Sequence, residues 1–556
     1  MFPTWTETAV RCLAPRQWKD RRIRTLRQPQ KMQGLITRIF VAAFAAAVFA
    51  SAQGASFDAA AAEHLLNRAG FGASPEEVEN AVKRGRAATV ESLLDAGHEY
   101  TTEDRFPRIT ITRLSRKQIA ESRPALTKEE VAELAQKASN EAEGRDQRQV
   151  LDFRNWWVDR MITSNTPLRE KMTLFWAGHF TSSQRDVRNS EHMVQQNEFL
   201  RTHALGSFHS LLHGMARDPA MLRYLDNNKN RKSRPNENFA REVMELFTLG
   251  EGNYTEQDVK EAARAFTGWN FKGNSFVLDT ANHDFGIKTV LGKQGNFDGG
   301  DVLDILLARP ESSRFLARRL LSFFVVHHPP ENLVDRYAAQ LLEHQWQITP
   351  VVRALFNDPE FYSPQFIGSR ILGPIEFGVA IARRARGANR APGYLIAFAS
   401  DGMGQSLLSP PNVKGWEGGE AWITSSSLLA RGNLALALVQ GFNERVARSA
   451  MIGASVDGTS RIVEYLRRSK SAEWKPDFSA KTWADITSHE ATSTLVDSLC
   501  ERLLGVEVSP ESRSALIKFL EDAVPETPTK KVPQPKDRRF ERLLHLILSL
   551  PEAQLG

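Results

Sequence analysis

The chain has 556 residues, 41% hydrophobic and 25% charged, with two cysteines and a formal net charge of +6. A chain this long buries enough core to dispense with disulfides. The positive excess lies at one end. Arg11, Arg16, Lys19, Arg21, Arg22, Arg24, Arg27 and Lys31 oppose only Glu7 and Asp20, and Arg38 follows. These charges exceed the whole surplus, so the remainder is slightly acidic, which excludes a basic nucleic-acid binder.

Residues 1–52 read as a basic leader and secretory signal peptide. From Met32, a second candidate start, a charged n-region leads into an apolar run from Ile39 to Ala50. Ala50-Ser51-Ala52 then supplies an A-x-A cleavage site. The run is too short to span a bilayer, so the processed chain is expected in the periplasm or outside the cell, with no stable membrane span. Residues 57–456 read as the main helical domain. Ser74-Pro75-Glu76-Glu77 is a helix start with an N-cap, a proline at the first helical position and a capping-box glutamate. Residues 101–150 are polar, and Thr127 with Glu130 opens a helix that runs into Trp156, Trp157 and Met161 as core.

Thr166-Pro167 starts a helix that carries Phe175, Trp176, His179 and Phe180. An imidazole there is either a base or metal ligand or a hydrogen-bonded core residue. His209 and His213 have i, i+4 spacing. No His-Glu-x-x-His or Glu-x-x-His accompanies them, so they read as a chance surface spacing. Asp226, Asn228, Asn230 and Glu237 fit a calcium loop in part, but Arg231 replaces its glycine; a looser oxygen site at Asp226, Asn236 and Glu237 stays open.

Pro235–Trp269 organises the chain. Phe239, Val243, Leu246 and Phe247 give the apolar stripe of a core-facing helix, Gly250 a C-cap, and Thr255 with Asp258 the box that opens a second helix. Glu237, Arg241 and Glu245 share one face, Glu242 lies beside them, and Arg264 sits on the second helix. Such a cluster is either an ion-pair lock or a pocket with shifted pKa values.

Residues 270–300 predict a short hairpin or ordered loop that carries His283, Asp284 and Lys288. Residues 301–365 return to helix, and His327-His328-Pro329-Pro330 ends one. In the Gly/Pro loop at 401–431, Asn412, Trp416 and Trp422 are either a platform for sugar rings or a plug onto the core. Residues 457–556 read as a C-terminal helical extension with Cys500 in its core and a Pro/Lys linker at 525–535.

The fold class is therefore mainly α: a multi-helix body whose short loops or hairpins carry the polar motifs. The runs Pro-Asn-Glu-Asn-Phe-Ala-Arg-Glu, Glu-Leu-Phe-Thr-Leu-Gly and Ala-Ala-Arg-Ala-Phe-Thr-Gly-Trp resemble the signature of the domain of unknown function 1800 family. The likeness runs from about His64 to about Leu550. The family brings no settled activity. Its genes often lie beside one for a sulfatase-like domain of unknown function 1501 protein, so the resemblance implies such a partner.

Two functional expectations follow. One is an extracytoplasmic enzyme acting on a polysaccharide or envelope polymer, with His179, Arg241, Glu242, Glu245, His283 and Asp284 as chemistry. Asn236, Asn238, Arg264, Lys288, Asn412 and Trp416 would then bind the ligand. The other is a secreted binding or assembly protein without catalysis. The sequence assigns no cofactor and no metal.

Overall fold

The computed structural model describes residues 57–94, 105–107, 109–385, 393–441, 476, 491–522 and 538–556. The leader, most of 442–490 and the 525–535 linker lie outside them. Ser56–Gly556 forms one unit. The fold is mainly α, as expected: the described residues form helices and only two short hairpins of strand. None of these helices is long and apolar enough to cross a membrane.

Helices start where the sequence caps them. Ser74, Thr127 and Thr255 each accept from the backbone N–H three residues on. In each case the residue there returns a side-chain bond. The helix from Thr127 runs unbroken over Lys128–Thr163, roughly 54 Å at 1.5 Å per residue. Its early turns are largely solvated, while Phe153, Trp157, Val158 and Met161 are buried. Asp146, partway along, accepts from Arg113, Gln184 and the backbone and hydroxyl of Ser190, which fastens the helix to its neighbours.

Among the described residues, two apolar cores fill the unit. The first runs from Leu65 through Trp176, Phe239 and Val302 to Phe366. The second joins Phe153 and Trp157 to Ile375, Leu434, Leu499 and Leu544. The helices Thr492–Leu503, Pro510–Glu521 and Arg538–Ser549 thus share a core with residues 153–439, and Cys500 is buried among them.

Charged groups that cross these cores meet opposite charges there. Lys171 and Arg370 both bond to Glu376. Arg201 meets both oxygens of Glu170 at 3.0 Å, and Arg160 adds a third bond at 2.9 Å. A buried charge is tolerable only when paired in this way. The opening motif belongs to the same framework: His64 bonds to the Phe361 carbonyl at 3.1 Å and Arg68 to that of Phe366 at 2.9 Å.

The hairpins occupy the 270–300 stretch. Strand β1 (Trp269–Lys272) pairs antiparallel with β2 (Ser275–Leu278), and β3 (Lys288–Val290) with β4 (Lys293–Gly295). Gly268, at φ +76°, makes the turn into β1; a Cβ there would stand 2.4 Å from the Asp279 carbonyl oxygen.

Candidate functional site

The central hairpin departs from a plain pair of helices. Its first arm is α-helical over Asn238–Glu242 and then π-helical over Val243–Thr248. The wider turn is closed by Leu249 N–H donating to Met244 O at 2.8 Å and by the Thr248 hydroxyl donating to Val243 O at 2.7 Å. Such turns recur at functional sites. Phe239, Val243, Met244 and Phe247 are buried, and Glu242 and Glu245 lie partly open on the other side.

Glu245 accepts from the Tyr254 hydroxyl at 2.7 Å and has the Lys414 ammonium at 3.8 Å. Lys414 also reaches Glu251 at 2.8 Å, and the Asn412 side chain orients it by accepting from its backbone N–H at 2.9 Å. Glu242 has no hydrogen bond or ion pair among the described residues. Burial raises its pKa, and the neighbouring charge of Glu245 raises it further, against the opposing charges of Arg241 and Lys414. Tyr224 is pushed up to about 12 by burial first, with Asp186 and Glu242 adding. The Tyr254 hydroxyl is also held protonated, by burial and by Glu245.

The loop that brings Lys414 is pressed onto the end of the Pro167–His179 helix. Gly415, at φ +85°, would place a Cβ 2.7 Å from the Gly178 carbonyl oxygen, and the Thr181 hydroxyl donates to Val413 O at 2.5 Å. Trp416 lies half-buried against Gly178 and Trp422 is buried. Both rings plug the loop onto the body instead of forming an open platform.

The other residues singled out in the sequence divide into separate groups. His179 is 2% exposed, within a cage that includes the Phe175, Trp176, Phe180, Phe208, Phe247 and Phe315 rings. Its Nε2–H donates to the Phe247 carbonyl at 3.2 Å, which fixes that tautomer. Burial, then Arg319, keeps it neutral. It braces the π segment from beneath and does not meet the carboxylates, because its helix points it into the aromatic core.

Arg264, His283, Asp284 and Lys288 are brought together elsewhere. Arg264 and Glu256 lie at opposite ends of the Glu256–Ala265 helix, roughly 12 Å apart. Arg264 holds both oxygens of Asp284, at 2.8 and 3.3 Å. His283 is buried and its Nδ1–H donates to Thr267 O at 2.7 Å. Lys288, also buried, donates to the carbonyls of Asp284 and Gly286 at 2.6 and 2.9 Å. His283 and Asp284 face different partners, so they make no base-and-orienter pair.

Arg241 grips Glu256 through two bonds of 2.7 Å and reaches Glu237 at 3.4 Å, locking the two arms of the hairpin. Asn236 accepts from Asn238 N–H at 3.0 Å, and Asn238 donates to Leu225 O at 3.1 Å. These asparagines brace the entry to the first arm. The calcium-loop reading meets the same fate. The Asn230 side chain is spent on Asn227, Ala263 O and Asn236 N–H, and Asp226 pairs with Lys229.

Sequence reasoning missed Tyr254, Glu251 and Lys414. All three stand in runs already singled out, but only the folded chain shows that they converge on Glu245.

Fold and site together define a mainly α protein with a partly exposed carboxylate pair where an α turn passes into a π turn. Residues 64–555 match the family described as protein of unknown function (DUF1800), and the chain belongs to that family. No curated protein and no solved structure matches it.

Proposed function

We propose that this is an extracytoplasmic protein whose Glu242–Glu245 pair performs acid–base hydrolysis of a polysaccharide or related envelope polymer. The observation that carries this reading is the asymmetry of the pair. Glu242 is half-buried, has no hydrogen bond or ion pair among the described residues, and its pKa is raised by burial and by Glu245. Glu245 is held by Tyr254 and Lys414. Two carboxyl groups in unlike surroundings divide naturally into acid and base. Glu242 would protonate the leaving oxygen. Glu245 would take a proton from the attacking water, and Arg241 and Lys414 would supply positive charge.

The test is release of new reducing ends from peptidoglycan and envelope polysaccharides by the processed chain. Glu242→Gln and Glu245→Gln should each lower the rate by about 100-fold or more with the helical circular-dichroism signal intact. Unchanged rates in both variants, or no release from any polymer, would sink the proposal.

A second reading has its own support. Phe285 and Ile287, in the loop before β3, are 58% and 66% exposed. The Arg264–Asp284 pair and Lys288 hold this loop in place. A braced apolar patch suits a docking surface, for which the sulfatase-like domain of unknown function 1501 protein is the proposed partner. Co-purification that survives high salt and is lost in Phe285→Ser/Ile287→Ser would support it; co-purification indifferent to that change would not.

A further inference from the structure

His209 and His213 stand one turn apart on the Phe208–Ala216 helix, their rings stacked with centroids 4.3 Å apart. The Gly299–Leu307 helix supplies Asp304 opposite them. Its Oδ1 lies 2.9 Å from His209 Nε2 and 2.8 Å from His213 Nε2. One donor atom from each residue lies within 4.8 Å of the other two. A carboxylate from a second helix thus adds a third donor to the i, i+4 histidine pair.

We infer that His209, His213 and Asp304 form a binding site for a divalent transition-metal cation of the zinc type, with solvent completing its coordination. Two imidazoles and a carboxylate suit zinc, cobalt, nickel or copper better than calcium or magnesium, which prefer oxygen donors throughout. With bonds of about 2.0–2.1 Å in a tetrahedral site, neighbouring donors stand roughly 3.3 Å apart. The present spacings of 2.8 and 2.9 Å need to open by about half an ångström. Small side-chain rotations supply that, since His209 and Asp304 have side chains 49% and 57% exposed.

The scaffold beneath is rigid. Phe208, Leu211, Leu212 and Met215 anchor one helix in the core, and Val302, Leu303 and Leu306 anchor the other. Donors on anchored helices are already organised for binding. The site shares no residue with the Glu242–Lys414 group, so it neither depends on nor supports the hydrolytic reading.

The test is titration of the metal-free processed chain with Co²⁺, read by its visible d–d absorption, and with Zn²⁺, read by calorimetry. One equivalent of each should bind. His213→Ala and Asp304→Asn should each weaken Zn²⁺ binding by at least roughly 100-fold, because even outer-shell losses reach that size. His545→Ala, whose histidine bonds instead to Gly432 O, should leave it unchanged. The absence of d–d bands would overturn the inference. So would Zn²⁺ affinity that persists in both His213→Ala and Asp304→Asn, because the metal would then bind elsewhere.

Discussion

Glu376 is wholly and Glu242 partly withdrawn from water, in different company. Glu376 is buried between Lys171 and Arg370. Burial opposes its ionisation, but the two cations outweigh burial and hold its carboxyl below the usual range. Glu242 is also desolvated, yet its nearest strong influence is a second carboxylate, and its pKa rises. The first arrangement is saturated and does structural work. The second leaves a carboxyl with a raised pKa partly open to solvent. Desolvation alone therefore does not decide the direction of a carboxyl's shift in this molecule; the charge of its neighbours does.

The comparison breaks most visibly at Glu376. Glu376→Ala strands the buried Lys171 and the partly buried Arg370 and should cost about 3–5 kcal/mol in urea unfolding. The folded value lies below the unfolded one, so this stabilisation is complete above the ordinary carboxylate range. In wild type it should fade as pH falls through the depressed value. A loss under 1 kcal/mol would mean that the cluster is not closed. His179→Ala comes next, at about 3 kcal/mol, from the hole left in the aromatic cage. Hydrolysis per folded molecule should not change; a specific rate loss at full stability would return His179 to the chemistry.

Arg264→Ala should cost about 1–2 kcal/mol, because its carboxylate partner is only partly buried. Faster proteolysis within 280–290 would show the loop released. The smallest effect belongs to Glu242→Gln, within about 1 kcal/mol. Its direction is informative. The folded pKa lies above the unfolded one, so wild-type stability falls as pH rises through that window. The amide escapes this loss, and the variant should be the more stable above it. Equal stability at every pH would remove the electrostatic difference between Glu242 and Glu376.

Legibility in the sequence followed distance along the chain. The caps at Ser74, Thr127 and Thr255 were readable because each is a bond between residues three apart. The buried stripe of Phe239, Val243 and Phe247 followed from helical spacing. The Arg241 lock was readable as one of two alternatives, since its partners sit in adjoining helices. Lys414 beside Glu245 and Asp304 beside His213 come from remote segments, and no local pattern records such meetings. His179 misled for another reason: an aromatic phrase around a histidine reads alike for a pocket and for a core. The π turn was hidden because its apolar stripe also fits an α-helix.

That turn makes the length of the central run a constraint in its own right. A π turn carries more residues per circuit than an α turn, and each helical residue advances the chain by about 100°. Deleting any one residue between Val243 and Thr248 would let the arm relax into ordinary α-helix. Tyr254 and Glu256 would then swing around the axis, away from Glu245 and Arg241. Point substitutions can spare this hairpin, but a change in spacing cannot, so the segment behaves as a measured interval as much as a set of side chains.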